Sequence, residues 1–137
     1  MKLKNIVLLT GIVILALSCT SGPVAIPDDL TAAELIQRAQ EASDRNRYAV
    51  SLQYYQAIID RFPSDTDSIC AAEYEIAFIK YKQKKYDEAK TGFTNLLARY
   101  NTPDEALLPP QFKVLSQMLL SKITDLEKTQ NKAGSVS

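Results

Sequence analysis

The sequence contains no histidine. That absence removes the commonest general base and the commonest zinc ligand, so serine-histidine, cysteine-histidine and histidine-metal sites are excluded. An excess of either charge is missing too: 16 basic and 16 acidic residues cancel, a balance that favours neither nucleic acid nor an anionic membrane surface. Cysteine is scarce, with Cys19 and Cys70 alone. Because Cys19 ends an export-like segment, no internal disulfide is open to Cys70, whose apolar setting Ile69-Cys70-Ala71-Ala72 predicts a small core residue. A thiol nucleophile would need a neighbouring base or positive charge, and none is adjacent in sequence. Asp65-Thr66-Asp67 imitates the opening of a calcium loop, but the position of the closing bidentate acid is Ile76, which excludes calcium. No catalytic residue, metal or cofactor is therefore expected, and the chain is not expected to be an enzyme. A hydrophobic run long enough to span a bilayer is also lacking: Ile6 to Leu17, interrupted by Thr10 and Gly11, is well short of the roughly 20 residues required.

What is present begins with that short run. Lys2 and Lys4 precede it and Ala16-Leu17-Ser18-Cys19 follows, the layout of an export signal over residues 1–18. A small residue before a cysteine at this point resembles the bacterial lipobox, in which the cysteine thiol receives diacylglycerol and becomes the new amino terminus; Ala16 stands where the motif usually has leucine. The resemblance implies lipid attachment at Cys19 and a membrane tether, since each buried methylene contributes about 0.8 kcal/mol. The alternative is an ordinary signal peptide cut nearby, with Cys19 incidental. Removal of Lys2 and Lys4 leaves 14 basic against 16 acidic residues, a mature charge of −2.

Residues 19–29 hold two prolines and a glycine without periodicity and read as a lipidated tether. From residue 30 to 130 apolar residues recur three and four apart, which predicts an all-α domain, with a frayed tail over 131–137. Five helices are expected: Thr31 to Arg45, Arg47 to Arg61, residues 67–83, Tyr86 to Tyr100 and Gln111 to Lys128, with a proline-rich loop before the last. Asp28, Asp29 or Thr31 would cap the first, and Ser64, Asp65, Asp67 or Ser68 the third. The run Lys80, Lys82, Lys84, Lys85 reads as a solvated helix end rather than a nucleic-acid patch.

Sliding the sequence by 38 residues superposes Ala39 on Ala77, Tyr48 on Tyr86, Ser51 on Ala89, Tyr55 on Phe93, Ile58-Ile59 on Leu96-Leu97 and Arg61-Phe62 on Arg99-Tyr100. Each unit is then a helical hairpin in which a small residue on the first helix admits the second, and Ala39 and Ala77 are expected to be buried at the crossings. Tyr48-x-x-Ser51-x-x-x-Tyr55-x-x-Ile58-Ile59-x-x-x-Pro63 and Tyr86-x-x-Ala89-x-x-x-Phe93-x-x-Leu96-Leu97 resemble the second helix of the tetratricopeptide repeat. The first helices depart from it at Arg38, Ala42, Glu73 and Lys80, and Pro103 comes two residues after the position equivalent to Pro63. The ending Asp60-Arg61-Phe62-Pro63 behind a lipidated cysteine resembles the outer-membrane assembly lipoproteins of the BamD-like family, which usually carry more hairpins. The fold implied is two tetratricopeptide-type hairpins plus a C-terminal capping helix.

That resemblance also implies a use. In such arrays the first helices line a concave face, which by position selects Ile36, Gln40, Ser43 and Asp44 from the first unit and Tyr74, Phe78, Tyr81 and Lys82 from the second. Tyr74, Phe78 and Tyr81 fall at i, i+4 and i+7 and make one aromatic stripe, suited to a peptide partner unless helix five covers it as a cap. The expectation is a lipid-anchored, protein-binding adaptor of the cell envelope, at the outer membrane facing the periplasm. Its partners would be other envelope proteins and the membrane, with no nucleic acid. A surface-displayed lipoprotein contacting host or matrix molecules is the alternative.

Overall fold

The computed structural model describes residues 22–134; the export segment and Cys19 lie outside the described residues. The protein is all-α. Its helices are α1 (Ala32–Asp44), α2 (Tyr48–Arg61), α3 (Thr66–Lys82), α4 (Tyr86–Arg99) and α5 (Pro110–Gly134), with a 3-10 turn at Pro103–Leu107 and no strand among the described residues. The stretch expected as a plain loop before α5 therefore contains a 3-10 turn, begun by Pro103 with its φ preset for the first helical position. The tail expected to fray stays helical to Gly134, since no proline or glycine lies between Lys128 and that residue to stop it.

Local chemistry accounts for the ends. Thr31 and Glu34 form a reciprocal capping box, the Glu34 N–H donating to Thr31 Oγ1 at 3.3 Å and the Thr31 N–H to Glu34 Oε2 at 2.9 Å. Asp65 caps α3 by accepting the Ser68 N–H at 3.1 Å. Both hairpins turn by the same device. Asn46 and Lys84, 38 residues apart, take the left-handed conformation at φ 57° and 60°. The following N–H groups reach back five residues, Arg47 to the Ala42 carbonyl at 2.8 Å and Lys85 to the Lys80 carbonyl at 2.9 Å, the bond that ends a helix in a Schellman turn. The sequence repeat is thus also a backbone repeat.

The hairpins stack in order. α1 packs on α2 and α3 on α4; α2 also packs on α3 and α4 on α5, while α1 touches α3 and α3 touches α5. Hence α1, α3 and α5 form one layer and α2 and α4 the other. Positions paired by the repeat are buried together: Ala39 with Ala77, Ser51 with Ala89, Tyr55 with Phe93 and Ile58 with Leu96. The Ser51 hydroxyl donates to the Ala39 carbonyl at 2.7 Å, tying α2 to α1, whereas Ala89 leaves that contact to packing alone. Glu73, where the tetratricopeptide pattern has a large aromatic, makes a two-pronged bond with Arg99 at 2.7 and 2.6 Å and braces α3 against α4.

In the second hairpin the helices approach closely at Ala77 and Gly92, where a Cβ on the glycine would stand 2.8 Å from the Ala77 Cβ. Enlarging Ala77 to leucine is expected to cost about 1–3 kcal/mol by overpacking. Gly92→Ala should also lower the melting temperature, the clash outweighing the roughly 1 kcal/mol gained in helix propensity. Thermal unfolding followed by circular dichroism checks both; unchanged midpoints would mean that α3 and α4 do not cross there.

The stretch read as a tether is docked from Val24 onward. The Val24 N–H donates to Gln53 Oε1 at 2.7 Å, and the Arg61 guanidinium donates to the Pro27 and Ile26 carbonyls at 2.7 and 3.2 Å. Arg61 also pairs with Asp28 at 3.3 Å. Ile26 packs on the core of the first hairpin and Leu30 is buried, so the packed unit begins before residue 30.

Candidate functional site

The face selected by the repeat lies on α1 and α3, and α5 decides how much of it is open. An aromatic ladder runs from Phe112 through Tyr74, Phe78 and Tyr81 to Tyr86, with successive ring centroids 5.5, 5.9, 6.0 and 5.9 Å apart. Tyr74 also meets Phe93 of α4 at 5.8 Å and is only 8% exposed. Tyr74 is therefore a core residue and not a partner-binding one. Helix α5 covers it because Phe112 and Leu119 remove more apolar surface from water by lying on the ladder than by facing solvent. Phe78 and Tyr81 remain half-buried, with the Lys122 ammonium of α5 5.9 Å from the Tyr81 ring.

In α1, Gln40 and Asp44 are exposed, whereas Ile36 is half-buried against the first hairpin core. Lys82 and Ser43 form a clasp between the hairpins: the Lys82 ammonium donates to Ser43 Oγ at 2.7 Å. It also lies 5.1 Å from the Tyr48 ring and 5.2 Å from the Phe78 ring, where the ring faces attract the cation. Ser43 is buried, so it serves this clasp rather than an open groove. The other lysines of the basic run are partly engaged as well, Lys80 pairing with Glu88 at 2.7 Å and Lys85 with the same carboxylate at 3.8 Å.

One residue of this face, Glu75, escapes a reading by repeat position alone. Burial holds the Glu75 carboxyl above its usual range, with Lys82 opposing the shift and Asp44 reinforcing it. Beneath it Tyr55 is 1% exposed, and its hydroxyl has no hydrogen-bond partner among the described residues. Burial pushes the Tyr55 phenol upward, Glu75 and Asp44 adding to the effect. The signal for Glu75 is its spacing: Glu75, Phe78 and Lys82 stand at i, i+3 and i+7 on one side of α3. Together they present carboxylate, aromatic and ammonium groups within one small area, a surface that can hydrogen-bond and stack on a polypeptide.

Cys70 stands apart from this face. It is fully buried, and burial pushes its thiol up, the Arg99 charge partly offsetting the shift. The Tyr100 phenol, pushed up to about 12 chiefly by burial, donates to the Pro109 carbonyl at 2.7 Å and pins the entry to α5. Among the described residues no three histidine, cysteine, aspartate or glutamate side chains converge to hold a metal ion, and no described helix is long and apolar enough to cross a membrane.

An uncharacterised protein of Treponema pallidum (strain Nichols) is 34% identical to this chain over 121 residues, a match covering 85% of the chain and 48% of that relative. The chain thus spans about half the length of the curated relative it matches. No family model matches the chain, and no solved structure matches it.

Proposed function

We propose that this chain is a lipid-anchored, protein-binding adaptor of the bacterial cell envelope, made of two tetratricopeptide-type hairpins and an end helix, and acting in outer-membrane protein assembly in the manner of the BamD-like lipoproteins. The observation that carries the reading is the 38-residue hairpin repeat with matching left-handed turns at Asn46 and Lys84. A stack of that kind holds a rigid face, here Gln40 and Asp44 on α1 and Phe78, Tyr81 and Lys82 on α3, at fixed spacing for a partner. Aromatic side chains half-embedded in such a face give large contact area at small entropy cost. The anchor is Cys19, facing the periplasm from the outer membrane.

The anchor is tested by replacing Cys19 with serine. The domain should stay folded, because the packing described above begins at Val24, while the protein moves from the membrane fraction to the soluble one. Metabolic labelling with a radioactive fatty acid should mark the wild type and not the variant. A wild-type protein without label would remove the lipoprotein reading.

A further inference from the structure

On a different side of the first hairpin a cleft of about 510 Å³ opens between the N-terminal strap, α1 and the start of α2. Val24, Arg38, Arg45 and Arg47 are among the residues that line it. Glu34 and Glu41 also line the cleft; Glu34 accepts from Thr31 in the capping box and Glu41 from Gln37 at 3.1 Å, neutral donors that leave each carboxylate its charge, and the Arg38 charge acts on Glu34. Arg45 and Arg47 flank the left-handed Asn46, are exposed, and have no ion pair or side-chain hydrogen bond among the described residues. Three arginines against two glutamates leave the cleft one net positive charge, with the Arg45 and Arg47 donors open, although the chain as a whole carries no excess charge.

The strap fixes where this cleft lies along the chain. Its contacts advance from Gln53 at Val24 to Arg61 at Pro27; roughly 10 Å of extended chain matches about 12 Å of helix. The strap consequently runs parallel to α2, and its upstream end points to the start of α2, the end that bears Arg45 and Arg47. Only Thr20 to Pro23 separate Cys19 from Val24, so the two Cα atoms are within about 18 Å of each other on any path. Resting on the reading that Cys19 carries the lipid, this tie keeps the arginine end of the hairpin within reach of the headgroup layer.

We propose that the Arg38, Arg45 and Arg47 cleft binds the phosphate of an anionic phospholipid headgroup in the membrane that holds the anchor. Guanidinium is suited to this: its planar fork donates two parallel bonds to phosphate oxygens and is weakly hydrated. The contact sets which end of the hairpin stack meets the bilayer, a direction that a flexible anchor alone leaves free.

The test is native mass spectrometry of the mature protein extracted from membranes in detergent, titrated separately with phosphatidylglycerol, phosphatidylcholine and inorganic phosphate. The expected spectrum has one phosphatidylglycerol bound, at least tenfold less phosphatidylcholine, and no displacement of the bound lipid by millimolar phosphate. Arg45→Gln with Arg47→Gln should lose the lipid, while Lys84→Gln with Lys85→Gln, the corresponding turn of the second hairpin, should keep it; circular dichroism establishes that both variants are folded. Equal binding of the two lipids, equal loss in both variants, or displacement by inorganic phosphate would overturn the assignment. The same spectrum reports the covalent mass on Cys19. Phosphatidylglycerol held by a chain without diacylglycerol would remove the anchor and leave the headgroup site, whereas an acylated chain that holds no phosphatidylglycerol would remove the site and leave the anchor.

Discussion

Replacing Tyr74 with alanine is expected to destabilise the protein by about 3–5 kcal/mol, the range for removing a buried aromatic ring. The ring joins three helices: it stacks on Phe78 within α3, meets Phe93 of α4 and carries Phe112 of α5 at 5.9, 5.8 and 5.5 Å. Its loss would leave a cavity at the point where α5 docks, and domains of this size hold only about 5–15 kcal/mol in total. Urea unfolding followed at 222 nm should show a midpoint shifted far down. Tyr74→Phe should be mild, since it keeps the ring and its contacts. A loss below about 1 kcal/mol for Tyr74→Ala, the level of an ordinary surface change, would mean that α5 does not cover the ladder and that Tyr74 is free for a partner after all.

The sequence already carried most of the hairpins. Ala39 and Ala77, the aromatic positions at Tyr55 and Phe93, and the stops around Pro63 placed α1 to α4 to within a residue or two, because caps and apolar spacing act locally. The turns at Asn46 and Lys84 were legible as breaks but not as left-handed residues, since lysine gives no hint of positive φ. The fate of Tyr74 was open because it rests on a contact between residues far apart in the chain. A further shift of 38 residues does place Phe112 on Tyr74, so α5 sits where the first helix of a third unit would, and that was the available signal. The docked strap had none: the bonds from Arg61 reach backbone carbonyls, which every residue offers. On the candidate face, Gln40 and Asp44 are exposed, while the Lys82 and Ser43 clasp and the half-buried Glu75 depend on how the two hairpins lean together.

The second large effect concerns binding. Gln40→Arg with Asp44→Arg puts bulk and positive charge on two exposed positions of α1, which should change folding stability by no more than about 0.5 kcal/mol. If a partner lies across α1 and α3, the same pair should cost at least about 2 kcal/mol of binding, or roughly thirtyfold in affinity. Reversing the charge at Asp44 also places a like charge close to Lys82, so a partner that meets both residues loses its complementary site.

The measurement that bears most directly on the adaptor reading is site-specific photo-crosslinking in intact cells, with the reactive residue at Gln40 on α1 and, separately, at Ala98 on the exposed side of α4. The expected result is a discrete protein adduct from position 40, strongly reduced when Asp44 is changed to arginine, and none from position 98. An adduct from position 98 alone, or none from either position, would contradict the assignment of partner binding to the α1 and α3 face.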